Sequence, residues 1–247
     1  MKMDYKITND GSKTLFSQKY NQTFHSMQDG ALIEALHKHI IPAFSIFNNV
    51  KELNILDICF GLGYNIFATI YYIIENKLDI KVNFYSPELD EMLVKSLHNF
   101  EYPKEFDNIK HIIDLLIKNK YYKDENFKIQ IYIGNARDYV STLKNIDIVY
   151  QDAFSSDSNK ELWTREYFSE IARCISSIGI ITTYSIATPV RMSMYENNFY
   201  IYEYQSATKR RGTIASILRL DIDGLNLKFI DMEKKKLNSP NCFSLLD

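Results

Sequence analysis

The stretch Asp57-Ile-Cys-Phe-Gly61-Leu-Gly63-Tyr-Asn65 follows the apolar run Leu53 to Leu56 and leads into an apolar pattern of helical period. A strand that ends on an acidic residue and turns through two glycines into a helix brings backbone within reach of a ligand. Glycine allows this because it has no Cβ and tolerates φ > 0. A dinucleotide fingerprint would need a third glycine where Ile66 stands, so the motif argues against NAD or FAD. Glycine supplies only 8 of 247 residues, well below the usual share of about 7%, which marks its double use here as needed. A simple packing turn gives the same pattern, so the motif alone leaves both readings open.

Outward from this turn, apolar runs alternate with helical patterns, the signature of βαβ units and a mostly parallel sheet. Strands are predicted at 53–58, 81–85, 128–133, 146–151, 178–184, 199–204 and 213–220. The last two lack a long intervening helix and are expected to pair as an antiparallel hairpin, with Lys209-Arg210-Arg211 in the connection. Helices are predicted at 65–75, 88–97, 109–118, 136–143, 162–174 and 189–195, with an additional one in the longer gap between the second and third strands. Ahead of the core, Ser26-Met-Gln-Asp29 reads as a capping box opening a helix through Ile40, with Ala31, Leu32, Ala35, Leu36 and Ile40 on one face. Pro42 should end that helix or lie just beyond it. The expected organisation is an extension over 1–52, one α/β domain over 53–220 and a tail over 221–247.

A chain of this length can bury one sizeable core. Its 46% hydrophobic and 24% charged residues are those of a soluble globular protein, and no apolar run nears the roughly 18 residues of a membrane span. The start, Met1-Lys-Met-Asp-Tyr-Lys, has no signal-peptide core, so a cytoplasmic location is expected. Cys59, Cys174 and Cys242 are too scattered for a zinc motif or disulfide framework, and no metal is expected. With a net charge of −2, affinity for a polyanion would have to come from a local basic patch.

In such a sheet, ligands sit outside the carboxyl ends of the strands where chain order reverses. The first four strand ends present Asp57, Gly61, Gly63 and Asn65; Ser86-Pro-Glu88; Gly134-Asn135-Ala136; and Asp152-Ala-Phe154. Glu88 is placed to accept from ribose hydroxyls, or merely favours the start of the next helix. Asn135, beside Ala136, could accept from an adenine amine, or be a turn residue. Asp152 should point into the cleft on the substrate side, a solvated loop aspartate being the alternative.

With these residues placed, the chain resembles the methyltransferase domain of the bifunctional tRNA 5-methylaminomethyl-2-thiouridine biosynthesis protein (MnmC) over roughly residues 8–216. The matching segments are Asp10-Gly-Ser-Lys-Thr-Leu15, His25-Ser26, Gly30-Ala31, Glu34-Ala35, Phe60-Gly-Leu-Gly-Tyr-Asn65, Ser86-Pro-Glu88, Asp152-Ala-Phe154, Glu161-Leu-Trp163, Thr183-Tyr-Ser185, Val190-Arg191 and Lys209-Arg210. Cys59 departs from the pattern, standing where many methyltransferases have a first glycine.

The resemblance implies a Rossmann-like class I methyltransferase fold of the α/β class, with a seven-stranded, mostly parallel sheet. It implies S-adenosylmethionine as cofactor and transfer of its methyl to the exocyclic amine of 5-aminomethyluridine, or the 2-thio form, in the tRNA anticodon loop. No flavin oxidase domain is expected after the core, so another enzyme would install the aminomethyl group. Asp57, Gly61, Gly63, Asn65, Glu88, Asn135, Ala136 and Asp152 are the candidate cofactor residues. Asp152, Phe154 and Tyr184 are the candidate catalytic set, with Asp152 orienting the amine and accepting its proton. Trp163 is a further candidate for the base pocket, and Arg191, Lys209, Arg210 and Arg211 for phosphate contacts. Two rivals fit the same strand ends: an aminopropyltransferase of the spermidine synthase kind, and a non-catalytic RNA-binding module that has lost the cofactor.

Overall fold

The computed structural model describes residues 5–205, 211–239 and 242–247. The chain opens with three short strands, β1 (Tyr5–Ile7), β2 (Lys13–Ser17) and β3 (Gln22–Thr23), which form a small antiparallel sheet of their own. Next come α1 (Ala31–Ala35), a π-helical turn (Leu36–Ile40) and α2 (Ile41–Ile46). The core then runs β4 (Glu52–Ile58), α3 (Tyr64–Glu75), β5 (Lys81–Glu88), α4 (Glu91–Ser96), α5 (Lys110–Asn119), β6 (Tyr121–Lys123), β7 (Phe127–Ile133), α6 (Ala136–Val140) and β8 (Ile146–Gln151). It closes with α7 (Arg165–Cys174), β9 (Ile175–Thr183), α8 (Thr188–Tyr195), β10 (Tyr200–Gln205), β11 (Arg211–Ser216), β12 (Leu227–Ile230) and α9 (Met232–Asn238).

The main sheet has nine strands in the order β12-β10-β11-β9-β8-β4-β5-β7-β6. All seven expected strands form. Five are parallel, and β10 and β11 pair antiparallel as anticipated. The sheet is wider than seven because β6 and β12 add antiparallel edges; strands of three and four residues carry too little alternation to be read from sequence. Successive strand residues face opposite sides, and the core divides accordingly. Ile55, Phe84, Ile148 and Ile180 pack with α3 and α5 on one face. Leu56, Val149 and Ile181 pack with Tyr167, Phe168 and Met192 on the other. Among the described residues, no helix is long and apolar enough to cross a membrane.

The segment before the core departs from expectation in two ways that matter for the site. The helix starts at Ala31, not after Ser26, and its N-cap Gly30 has no side chain to offer. The turn joining β1 to β2 caps it instead: Ser12 Oγ accepts from Ala31 N–H at 2.9 Å and Asp10 Oδ2 from Ile33 N–H at 3.1 Å. Ser26 Oγ accepts from Asp29 N–H, closing a turn, while Glu34 reaches back to accept from Ser26 N–H at 2.7 Å.

Nor does Pro42 end the helix; it lies in the first turn of α2. Proline has no N–H to give to a carbonyl four residues back and its ring would crowd that carbonyl. The chain widens into a π-turn just before it, where Ile41 N–H bonds Leu36 C=O five residues back. This turn carries Lys38 and His39. Replacing Asp10 with alanine removes a cap from α1 and a partner from Thr8 and Ser12. Asp10→Ala is expected to cost about 1–2 kcal/mol in urea unfolding; an unchanged midpoint would contradict the capping role.

Candidate active site

Chain order reverses at β4, which has β5 on one side and β8 on the other. Above these strand ends lies a cavity of about 870 Å³, large enough for a nucleoside-sized ligand and part of a second molecule. Gly61, Asn65, Glu88, Asn135, Ala136, Asp152, Phe154 and Tyr184 all line it. The ends of β7 and β8 are three strand spacings apart, roughly 14 Å, so Asn135 and Asp152 stand toward opposite sides.

Asp57 and Gly63 do not line the cavity. Asp57 is fully buried beneath it, accepting from Asn65 Nδ2 at 3.0 Å on Oδ1 and from Ser86 Oγ at 3.1 Å on Oδ2. Burial pushes its carboxyl up to about 8, against the pull of the Asn65 bond. Gly63 starts α3 in the left-handed region, φ 79°, and a Cβ there would come within 2.5 Å of the Phe67 ring. Glycine is needed at this point for helix packing. Cys59 also has positive φ, 68°, so this departure from the expected glycine keeps a backbone conformation that favours glycine.

Glu88 grips the loop from both sides: Oε2 accepts from Gly61 N–H at 2.9 Å and Oε1 from Asp90 N–H at 2.8 Å. Burial raises its pKa while these bonds pull it back. The Leu89 N–H adds a third backbone donor, and the carboxylate keeps further acceptor capacity toward the cavity. Asn135 caps α6, its Oδ1 accepting from Arg137 N–H at 2.8 Å; the oxygen expected to meet an adenine amine already serves the helix start, and the amide Nδ2 is the group left for a ligand.

Asp152 sits at the opposite end, its side chain 17% exposed. Asn65 Nδ2 donates to its Oδ2 at 3.0 Å, so the amide bridges Asp57 and Asp152. His39, fully buried, places Nε2 3.4 Å from Asp152 Oδ1 while Nδ1 meets Thr182 Oγ1 at 2.8 Å. Burial would push the Asp152 carboxyl up; the neighbouring His39 ring, the hydrogen bond from Asn65 and the His25 ring outweigh it and hold the pKa below the usual carboxylate range. Two further groups line this end. His25 is driven down to about 4 by burial, and Glu34 up to about 7 by burial and by the neighbouring Asp152 charge.

The walls here are aromatic. Phe154 stacks on Tyr20 with ring centres 4.4 Å apart and meets Phe24 edge-on at 5.0 Å. Tyr20 belongs to the connection between β2 and β3, which is clipped across the cavity by Gln22 Nε2 donating to Ser155 Oγ at 2.7 Å and Ser158 Oγ at 3.0 Å. Tyr184 donates its hydroxyl to Ala153 C=O at 2.9 Å. Trp163 is core, not pocket: it is fully buried, and its Nε1 donates to Phe154 C=O at 2.7 Å, bracing the loop from behind.

Arg191 is a correction to the expected phosphate contacts. It is 4% exposed, with Nε donating to Thr213 Oγ1 at 2.9 Å and a guanidinium nitrogen 3.2 Å from Glu203, so it ties α8 to the β10–β11 pair and presents nothing to a phosphate. Arg211 is 54% exposed on its side chain, 3.5 Å from Glu203. Lys209 and Arg210 lie outside the described residues.

The polar groups fit S-adenosylmethionine. Glu88 offers carboxylate oxygens to vicinal hydroxyls, Asn135 and Ala136 flank the far side of the same cavity, and Gly61 brings backbone to its floor. Among the described residues, no cluster of three or more metal-ligating side chains could hold a metal ion.

A carboxyl with a raised folded pKa keeps its proton in the native state between its unfolded value of about 4 and its folded value, so native stability is lost as pH rises through that window. Asp57, at about 8, is such a group. Asp57→Asn, which has the shape of the protonated form, is expected to lose less stability than wild type between pH 6 and 9 in urea unfolding. Parallel pH dependences would contradict the buried, protonated state.

Residues 104–219 match the model of a family described as S-adenosyl-L-methionine-dependent methyltransferase. The chain is 30% identical over 209 residues to an uncharacterized protein of Methanocaldococcus jannaschii, covering 83% of this chain and 56% of that one. It is 24% identical over 212 residues to the tRNA 5-methylaminomethyl-2-thiouridine biosynthesis bifunctional protein MnmC of Campylobacter fetus, covering 83% and 34%. It therefore spans about half of the first relative and about a third of the second. Among solved structures, MnmC2 of Aquifex aeolicus superposes with a TM-score of 0.82 at 28% identity, covering all of this chain and 79% of that one. In fold and in sequence the chain is thus an MnmC-like, S-adenosylmethionine-dependent methyltransferase domain.

Proposed function

We propose that this chain transfers the methyl group of S-adenosylmethionine to the exocyclic amine of 5-aminomethyluridine, or its 2-thio form, at the tRNA wobble position. The similarity to MnmC, whose name specifies the biosynthesis of 5-methylaminomethyl-2-thiouridine in tRNA, motivates the substrate. One observation carries it: Asp152, held ionised, shares its end of the cavity with the rings of Phe154, Tyr20 and Phe24. A carboxylate beside stacked rings suits a planar base that bears an amine.

S-adenosylmethionine supplies a methyl carbon already activated on a positively charged sulfur. The protein's part is then mainly alignment of the amine lone pair with that carbon. Glu88 would accept from the ribose hydroxyls, and Asn135 and Ala136 would face the adenine. Asp152, fixed by Asn65 and His39, would orient the amine. A wobble base is single-stranded and can be splayed out onto aromatic side chains, for which Phe154 and Tyr20 provide faces. Arg211, with the neighbouring Lys209 and Arg210, would bind phosphates.

Incubation with labelled S-adenosylmethionine and tRNA carrying 5-aminomethyluridine, followed by mass spectrometry of the nucleosides, should show one methyl added on the amine. No incorporation would refute the reading. Asp152→Asn should lower kcat/KM by roughly 10²-fold or more, and wild-type turnover in that variant would remove Asp152 from the reaction. Reversing the charge of Lys209 and Arg210 should weaken tRNA binding and flatten its salt dependence by about 1.5 in the log–log slope; an unchanged slope would place the phosphate contacts elsewhere.

A further inference from the structure

The acceptor of the proposed reaction is an alkyl amine, which at neutral pH enters as an ammonium with a pKa of roughly 8–10. Its lone pair is free only after a proton has left. Asp152 is poorly suited to take it. Its oxygens already face the Asn65 amide and the His39 ring, and an ionised carboxylate with a lowered pKa holds an ammonium better than it deprotonates one.

A second carboxyl lines the same end of the cavity. Glu34 projects from α1 into the wall that His25, Ser26, Asp152 and Tyr184 share. The trans cap from Asp10 and Ser12 fixes the start of its helix, and Ser26 N–H anchors its Oε2 at 2.7 Å. We propose that Glu34 is the general base of the reaction, taking the proton from the acceptor ammonium while Asp152 holds the nitrogen in place. This role rests on the aminomethyluridine reading above.

The balance is simple. The ammonium gives one proton to the Glu34 carboxylate, leaving a neutral amine and a carboxylic acid. The nitrogen lone pair then forms the N–C bond as the C–S bond breaks, with its electron pair staying on sulfur. The product is a secondary ammonium paired with Asp152, and Glu34 returns its proton to solvent.

The surroundings of Glu34 suit the task. Burial and the Asp152 charge push it up to about 7, with Asp29 adding and with Lys38 and the Ser26 bond opposing. His25 and Tyr184 also line its side of the cavity, and both are driven toward their neutral forms by burial. A base with a pKa near the operating pH captures a proton from an alkylammonium far more readily than an ordinary carboxylate would. The two carboxyls, pushed apart by their settings, divide the work of holding and deprotonating.

The test is the pH dependence of kcat for wild type and Glu34→Gln on tRNA bearing 5-aminomethyluridine. Wild-type kcat should fall below about pH 7 and level off above it. At pH 7.5 the variant should be slower by about 10²-fold, and its rate should climb about tenfold per pH unit toward the pKa of the ammonium, with S-adenosylmethionine affinity by calorimetry unchanged. A uniform loss at every pH, or a profile identical to wild type, would overturn the role. As a readout independent of turnover, the carboxyl ¹³C resonance that disappears in Glu34→Gln should titrate near pH 7 in wild type, and a midpoint below pH 5.5 would also overturn it. An inert wild type in the same assay would defeat the substrate reading itself, and this role with it; failure confined to the variant's profile defeats the role of Glu34 alone.

Discussion

The Asn65 side chain is the interaction on which the site depends. Its amide nitrogen gives one hydrogen to Asp57, buried at the end of β4, and the other to Asp152, at the end of β8. These are the adjacent strands at which chain order reverses, so one amide at the start of α3 joins the three elements that form the floor of the cavity. It also separates the fates of two acids. Asp57, wholly enclosed, keeps its proton well into the neutral range, whereas Asp152 gains His39 as a second partner and stays ionised toward the cavity. Two carboxylates this close could not both remain charged at low cost in a buried setting.

His39 reaches that position through a backbone irregularity. The π-turn before Pro42 rotates one extra residue into the helix path, and His39 becomes the link between Asp152 and Thr182 of β9. Single-turn π segments within helices are frequent at functional sites for this reason: they re-aim side chains that a regular helix would direct elsewhere. The same N-terminal segment supplies Tyr20, Phe24, His25 and Glu34 to the cavity. Residues ahead of the α/β core thus complete one half of the site, while the strand ends supply the other.

Much of the core was legible because parallel strands are long, apolar and evenly interrupted by helices; Ile146 to Gln151 is read to the residue. The strand-end residues follow from topology, since Glu88, Asn135 and Asp152 lie within three residues past the ends of the predicted strands at 81–85, 128–133 and 146–151. What escaped depends on tertiary contacts. Nothing local reveals that Asp57 is sealed under Asn65 or that Gly63 serves the Phe67 ring. Arg191, the one charged residue between Ile186 and Tyr195, is spent on Thr213 and Glu203, in the two strands that follow. His25 and Glu34 stood within segments that carried the family resemblance, but their convergence on Asp152 needs the cap from Asp10, which lies in a different turn. His39 gave no signal, because a proline two residues past a helical pattern predicts an end and not a widened turn.

The account turns on one cavity accepting S-adenosylmethionine against Glu88, and titration calorimetry with the purified chain measures this most directly. Wild type should bind S-adenosylmethionine, and Glu88→Gln should bind it about 10- to 100-fold more weakly, as expected when charge-assisted hydrogen bonds are lost. No heat of binding to wild type at millimolar ligand, or equal affinity in the two proteins, would contradict it.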